Sequence, residues 1–291
     1  MHARTARSPL HAAGLAAIVA AAVAGCAAVG SGASGSATAA PTTPQDAVRL
    51  AAKTTDGASS FTGTMRLSAT AKAGAPSSAN ISMTASMAEQ LRPSVLAQVG
   101  SISSGTQTLP GGMSEVLTPS NLYLKYPALT QELGTGKPWL AVPVSALSKS
   151  SRVDISQLFS QATSTSPLNE SQMLADASNV RKVGTETLNG VPVTEYSGTV
   201  SLDKGLQYLS GSFKTSMQQE IAAAGLTSAT FTVWVDGQQV MRKAVITENG
   251  TVLTEVITVT ISTLNQPVNI QVPAADQTTP LPSGALGNLG A

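Results

Sequence analysis

Few residues of this chain could take part in covalent or acid–base chemistry. Both histidines, His2 and His11, lie within the first 25 residues, where a cleavable leader is expected. Without them the chain has no Ser-His-Asp triad, no histidine-dependent zinc site and no usual general base. Cys26 is the single cysteine, which rules out a dithiol redox motif. The sequence also lacks a Gly-rich phosphate loop with its lysine.

Glu186 and Glu195 form the one candidate carboxylate pair. They lie on two predicted strands joined by Asn189-Gly190, and two opposed carboxylates can act as acid and base. Two solvated strand residues near a turn are the favoured explanation, because nothing in a single sequence supports their geometry. We therefore predict a protein that is not an enzyme and holds no cofactor or metal. A Ser-Lys or carboxylate-only active site is the alternative that stays open.

Cys26 stands where a cysteine can be acylated. The leader has a basic start with Arg4 and Arg7, then an uncharged, Ala-rich stretch from Leu10 to Ala24. This short stretch ends in small residues, which is typical of a secretory signal peptide (residues 1–25) rather than a spanning helix. It closes with Val23-Ala24-Gly25-Cys26, which resembles the lipobox of bacterial lipoproteins, whose cysteine is diacylated on sulfur. A free or buried cysteine is the alternative, although unpaired thiols are unusual outside the cell.

Acylation of Cys26 would fix where the protein works. Each buried methylene of an acyl chain adds about 0.8 kcal/mol to membrane binding. Two or three acyl chains therefore anchor a protein stably. We expect a lipid-anchored protein on the extracytoplasmic face of the cell membrane.

The rest of the chain divides into a tether, a domain and a tail. Residues 26–42 are uncharged and rich in Ala, Gly and Ser, which predicts a flexible tether. Residues 43–272 are long enough for one large β-rich domain. Residues 273–291, rich in Pro, Gly and Thr, are predicted to be a disordered tail. Without its leader the chain is nearly neutral, so we expect no nucleic-acid partner and no basic patch for anionic headgroups.

Alternation of apolar and polar residues predicts that the domain is mainly antiparallel sheet. Eleven strands are expected, at residues 61–70, 81–87, 95–101, 114–117, 121–126, 139–142, 180–187, 191–200, 227–235, 239–248 and 251–264. Asn189-Gly190, Asp236-Gly237 and Asn249-Gly250 favour tight hairpins. Calcium could also bind the last two, but a turn explains them without a metal.

Four or five helices are expected besides the strands. The first begins after Thr43, a suitable N-cap followed by Pro44, and two short ones are predicted between residues 154 and 176. The longest runs from Leu202 to Ala224, where apolar residues recur at spacings of three and four and form one stripe. Ordinary packing on a sheet is the favoured explanation of the stripe, and an apolar ligand held between helix and sheet is the alternative. Methionines on several elements suit either a variable pocket or an irregular core.

Several motifs of this chain resemble those of a known protein family. Four stretches of the sequence are similar to motifs of the actinobacterial LppX/LprG (LppX-LprAFG) lipoproteins. They are residues 183–200, Phe231–Asp236 with Arg242 on the next strand, Lys137-Pro138-Trp139, and the lipobox at Cys26. That group is related in fold to the LolA and LolB lipoprotein carriers. The resemblance implies an α+β fold, a strongly curved antiparallel half-barrel of about eleven strands with helices on its concave face.

The resemblance also implies a function. Such proteins bind acylated lipids or glycolipids in an apolar cavity and help carry them in the cell envelope, and a membrane transporter or regulator is a further candidate partner. The alternative is a LolA-like sensory, regulatory or structural lipoprotein that binds a protein instead of lipid. Side-chain phase, rather than a family motif, suggests seven residues that line the cavity: Met65, Leu67, Met83, Met87, Leu206, Phe213 and Met217.

Overall fold

A single, strongly curved, open sheet organises the protein. The computed structural model describes residues 41–73, 80–91, 94–104, 107–108, 112–144, 177–208, 214–215, 218–219, 221–222 and 225–281. The strands are β1 Ser60–Ala71, β2 Ile81–Leu91, β3 Ser94–Ser104, β4 Gln107–Thr108, β5 Met113–Leu117, β6 Asn121–Lys125, β7 Trp139–Pro143, β8 Ser178–Leu188, β9 Val191–Ser201, β10 Ser228–Asp236, β11 Met241–Asn249, β12 Leu253–Leu264 and β13 Thr278–Pro280. The helices are α1 Pro44–Asp56, α2 Pro127–Glu132 and α3 Leu202–Gly205.

The strands β7 and β8 follow each other in the chain but lie on opposite sides of the sheet, β8 at one edge and β7 next to the other edge, which β13 forms. From one edge to the other the strand order is β13-β7-β6-β5-β3-β2-β1-β12-β11-β10-β9-β8, with β4 paired to β3. Among the described strands, every pairing is antiparallel except that of β13 with β7. Each of the eleven strands expected from the alternation is present within a few residues, so the predicted α+β half-barrel class is confirmed.

The C-terminal segment differs from its prediction. Residues 273–291 were expected to be a disordered tail, whereas Ala275–Gln277 form a 3-10 turn and β13 adds to the edge of the sheet. The Lys137 ammonium donates to the carbonyl oxygens of Ala275 at 3.2 Å and Thr278 at 3.0 Å. This anchoring comes from a lysine far away in the sequence, so local composition does not reveal it.

Helix α1 begins and packs as its sequence predicts. The Asp46 amide donates to Thr43 Oγ1 at 3.1 Å, and the Thr43 hydroxyl donates to Asp46 Oδ2 at 2.6 Å, which satisfies the first turn. The hydrogen bond from Thr43 lowers the pKa of the Asp46 carboxyl. Val48 and Ala51 are fully buried and pack against Phe231 and neighbouring apolar residues of β9, β10 and β11. The helix therefore covers one end of the curved sheet.

The long helix expected over 202–224 is described in part. It opens as α3 and continues as a 3-10 turn over Leu206–Tyr208. Residues 214–215, 218–219 and 221–222 are helical, and Gly225 follows with a left-handed φ of 65°. The predicted helices between residues 154 and 176 lie outside the described residues. Helix α2 was not predicted, although Pro127 stands at its first turn as a helix start allows.

Candidate apolar binding face

One face of the sheet, called here the inner face, carries the apolar side chains of β1, β2 and β12. Residues directly opposite each other in neighbouring strands point to the same side of a sheet. Met65 lies opposite Ala85 on β2 and Val259 on β12, and Leu67 lies opposite Met83 and Ile257. The alternating burial of β1 agrees with this assignment, because its even-numbered residues from Thr64 to Thr70 are exposed.

Four of the predicted cavity residues meet on this inner face. Met65, Leu67, Met83 and Met87 form one cluster with Phe61 and Ile257. Their side chains are only 0%, 1%, 6% and 3% exposed, respectively. They lie close together, and their burial is that of packed core residues. These four therefore form the floor of the inner face rather than its accessible surface.

The other predicted positions are only partly described. Leu206 is 6% exposed in the 3-10 turn after α3 and belongs to neither of the two apolar clusters formed by buried residues of the sheet and α1. Phe213, Met217 and Cys26 lie outside the described residues. Their roles stay predictions.

Six partly buried apolar side chains pack against the buried cluster. We call this set the apolar rim, and it consists of Ile81, Met113, Ile246, Val259, Ile261 and Leu264. Its members come from four strands, β2, β5, β11 and β12, of the same sheet. An apolar surface that solvent still reaches is the kind of surface that can take an apolar ligand.

The inner face also carries glutamates that the sequence analysis did not single out. Glu248 on β11 lies directly opposite Glu255 on β12. Burial raises the pKa of both carboxyls, and the neighbouring Glu248 adds to the effect on Glu255, whose pKa rises to about 7. The alternating pattern of the two strands could have revealed that both glutamates point to the inner face. Ile246 lies two residues before Glu248, and Ile257 lies two residues after Glu255.

Glu115 is a third inward carboxyl, on β5. It lies opposite Gln98 on β3 and Leu124 on β6. Protein atoms surround it, and burial raises its pKa to about 7. Its side chain still retains partial solvent exposure.

The carboxylate pair proposed from sequence does not assemble. Glu186 lies opposite Val193, and Glu195 lies opposite Gly184, so the two glutamates are offset by two residues. Glu186 is exposed on the edge strand β8. This arrangement agrees with the favoured explanation of two solvated strand residues.

The Asp236 side chain stabilises a hairpin. Its Oδ1 accepts from the Gln238 and Val240 amides at 2.8 and 3.0 Å, and its Oδ2 accepts from Arg242 Nε at 2.7 Å. Among the described residues no group of three or more His, Cys, Asp or Glu side chains could hold a metal ion. Within the same part of the chain, no helix has the length and apolar character needed to span a bilayer.

Together these features define a protein with a curved antiparallel sheet, a helix over one end and an apolar inner face. No family model matches the sequence. An uncharacterised 31.2 kDa protein from Streptomyces griseus, named for the rplA-rplJ intergenic region, is 30% identical over 149 residues. The match covers 49% of this chain and 48% of that protein, so it spans about half the length of each.

Two solved structures that this chain is similar to are mycobacterial lipoproteins. LppX of Mycobacterium tuberculosis is 20% identical with a TM-score of 0.45, and the match covers 78% of this chain and 98% of LppX. LprF of Mycobacterium bovis is 13% identical with a TM-score of 0.45, over 80% of this chain and 97% of LprF. LppX and LprF belong to the group that the sequence motifs resemble, so that predicted resemblance is confirmed.

Proposed function

We propose that this protein is a membrane-anchored lipoprotein that binds an acylated lipid or glycolipid on its inner face and helps carry it in the cell envelope. The apolar rim is the observation that carries the proposal. Its side chains remain partly exposed on a surface of high curvature, and an acyl chain placed there would remove them from water. Burial of apolar area contributes about 25 cal/mol per Å².

The chemistry of the site supports binding rather than catalysis. The described inner face combines aliphatic and methionine side chains with a few inward glutamates. Methionine adapts to ligands of varying shape, which suits a mixture of acyl chains. An acylated Cys26 would hold the protein at the membrane from which such a ligand is taken.

A second candidate function is supported by the burial of the residues that form the floor of the inner face. Met65 and Leu67 are 0% and 1% exposed, as expected of a filled core. A LolA-like regulatory or structural lipoprotein would need no lipid cavity and would present its outer surface to a protein partner.

Mass spectrometry of organic extracts separates the two candidates. The mature chain from residue 26 would carry Cys26→Ala, so that no covalent lipid is present, and would be secreted from an actinobacterial host. Co-purifying lipid near one molecule per protein supports the carrier. A folded protein whose extract contains no lipid, combined with recovery of one specific membrane protein by cross-linking, supports the regulatory candidate.

A further inference from the structure

Two carboxyl groups face each other on the inner face, at the turn between β11 and β12. Glu248 and Glu255 are directly opposed, and side chains in this position have Cβ atoms about 4.5–5.5 Å apart. Their neighbours on the outer flanks are Ala229 of β10 and Ala69 of β1, each 5% exposed. Two carboxylates so close, with apolar neighbours, cannot both ionise without strong repulsion.

No cation of the described residues neutralises the pair. Glu255 Oε1 is buried and accepts no hydrogen bond, and neither glutamate has an ion pair among the described residues. Among the charged groups on the surrounding elements, Lys243 lies over Trp234 and Arg242 binds Asp236. Arg66, Lys72 and Asp203 are exposed. Glu89 lies opposite Phe61 at the other end of β1, and Lys214 forms no described ion pair. A buried oxygen without a donor is satisfied when the opposed carboxyl carries a proton.

We propose that Glu248 and Glu255 share a proton and make this end of the inner face sensitive to pH. While one proton is retained, the two carboxyls hydrogen-bond and β11 and β12 stay closely paired. When the proton is lost, the two negative charges repel and draw water to the inner face. Burial, which raises the pKa of both carboxyls, places this change near neutral pH.

The sign of the effect follows from the direction of the shift. A carboxyl whose pKa is raised on folding favours the folded state when protonated, so its ionisation destabilises the fold as the pH rises. The loss begins near the unfolded pKa of about 4.3 and is complete above the folded pKa. For the inner face, and on the basis of the proposed function, an apolar ligand should bind more weakly above neutral pH than below it.

The experiment compares melting temperatures between pH 5 and 8.5. All variants carry Glu115→Gln, because Glu115 also has a raised pKa, and all use residues 26–291 with Cys26→Ala. Glu255→Gln and Glu248→Gln test the pair, and Glu186→Gln on exposed β8 is the matched control. We expect Glu255→Gln to raise the melting temperature at pH 8.5 by roughly 3–8 °C and to raise it clearly less at pH 5. Identical pH profiles for Glu255→Gln, Glu248→Gln and Glu186→Gln would overturn the proposal.

Carbon-13 NMR of the glutamate carboxyls gives a second measurement that does not depend on stability. The pair should titrate in two separated steps, and Glu248→Gln should return Glu255 toward one simple step at lower pH. Two ordinary, independent titrations would contradict proton sharing. Binding of a fluorescent fatty acid at pH 5.5 and 8.5 then tests the coupling. Failure of the fatty acid to bind at either pH counts against the lipid proposal, whereas pH-independent binding counts against the coupling.

Discussion

Thr55 joins helix α1 to the first residue of β11. Its Oγ1 accepts a hydrogen bond from the Met241 amide at 3.0 Å and donates to the Ala51 carbonyl at 2.8 Å. Thr55 is 7% exposed, so water cannot replace either bond. Thr55→Val keeps the shape and leaves the Met241 amide unsatisfied, which should lower the free energy of unfolding by about 1–3 kcal/mol. Urea denaturation measures the loss, and Thr55→Ser, which retains the hydroxyl, should recover most of it.

Asp236 should be more sensitive to substitution than an ordinary surface carboxylate. Its side chain is 4% exposed and accepts from two backbone amides as well as from Arg242. Asp236→Ala removes the two oxygens that accept these three hydrogen bonds and should cost about 3–5 kcal/mol, because Arg242 is left without its partner. A double-mutant cycle with Arg242→Ala, followed by thermal unfolding, separates the ion pair from the backbone contacts. If Asp236→Ala were no worse than Arg242→Ala, the backbone contacts would contribute nothing.

Gly198 is required by the ring of Phe231. The two residues are directly opposed on β9 and β10, and a Cβ at position 198 would lie 2.7 Å from Phe231 Cζ. We expect Gly198→Ala to destabilise the protein by about 1–3 kcal/mol through this overpacking. Gly184 on β8 is the matched control, because a Cβ there would have no atom within 4 Å. Gly184→Ala should change the stability little, and Phe231→Leu should reduce the cost of Gly198→Ala in a cycle measured by denaturation.

The pH dependence of stability tests whether the Glu115 carboxyl is buried or well hydrated. Its carboxyl has a pKa raised to about 7 by burial, from an ordinary value of 4.5, so ionisation destabilises the folded state. Stability should fall as the pH rises from about 4.5 to 7, by about 1–3 kcal/mol for this group after allowance for its partial exposure. Glu115→Gln should abolish this part of the pH dependence in urea denaturation at pH 5 and 8.5. An unchanged pH dependence would mean that the carboxyl is well hydrated.

In this protein the sequence predicts where the strands lie, but it does not predict the contacts between residues far apart in the chain. Phe61 to Ala69 alternates strictly with polar residues, and an alternating pattern has one stable orientation on a half-buried sheet. The β13–β7 pairing depends on Lys137 reaching residues far away in the chain, and no local pattern encodes that contact. The Glu248–Glu255 pair is an intermediate case, since its phase is visible in the sequence but its opposition depends on the register of one hairpin.

Burial also changes which residues should be tested for ligand binding. Met83 was predicted to line the cavity, but it is 6% exposed within the core cluster, so a tryptophan there would disturb the fold itself. Val259 is a better position, because it belongs to the apolar rim and lies opposite Met65 and Ala244. Its neighbour Thr258 points to the other face of the same strand and is likewise partly buried.

Val259→Trp should therefore block ligand binding selectively. The indole would occupy the space above the apolar rim and should reduce binding of a fluorescent fatty acid at least tenfold, a loss of about 1.4 kcal/mol. Thr258→Trp should bind normally, provided that both variants unfold at similar urea concentrations. Equal binding by the two variants would show that the ligand does not use the inner face. Equal loss of binding would instead point to a general effect of tryptophan on β12.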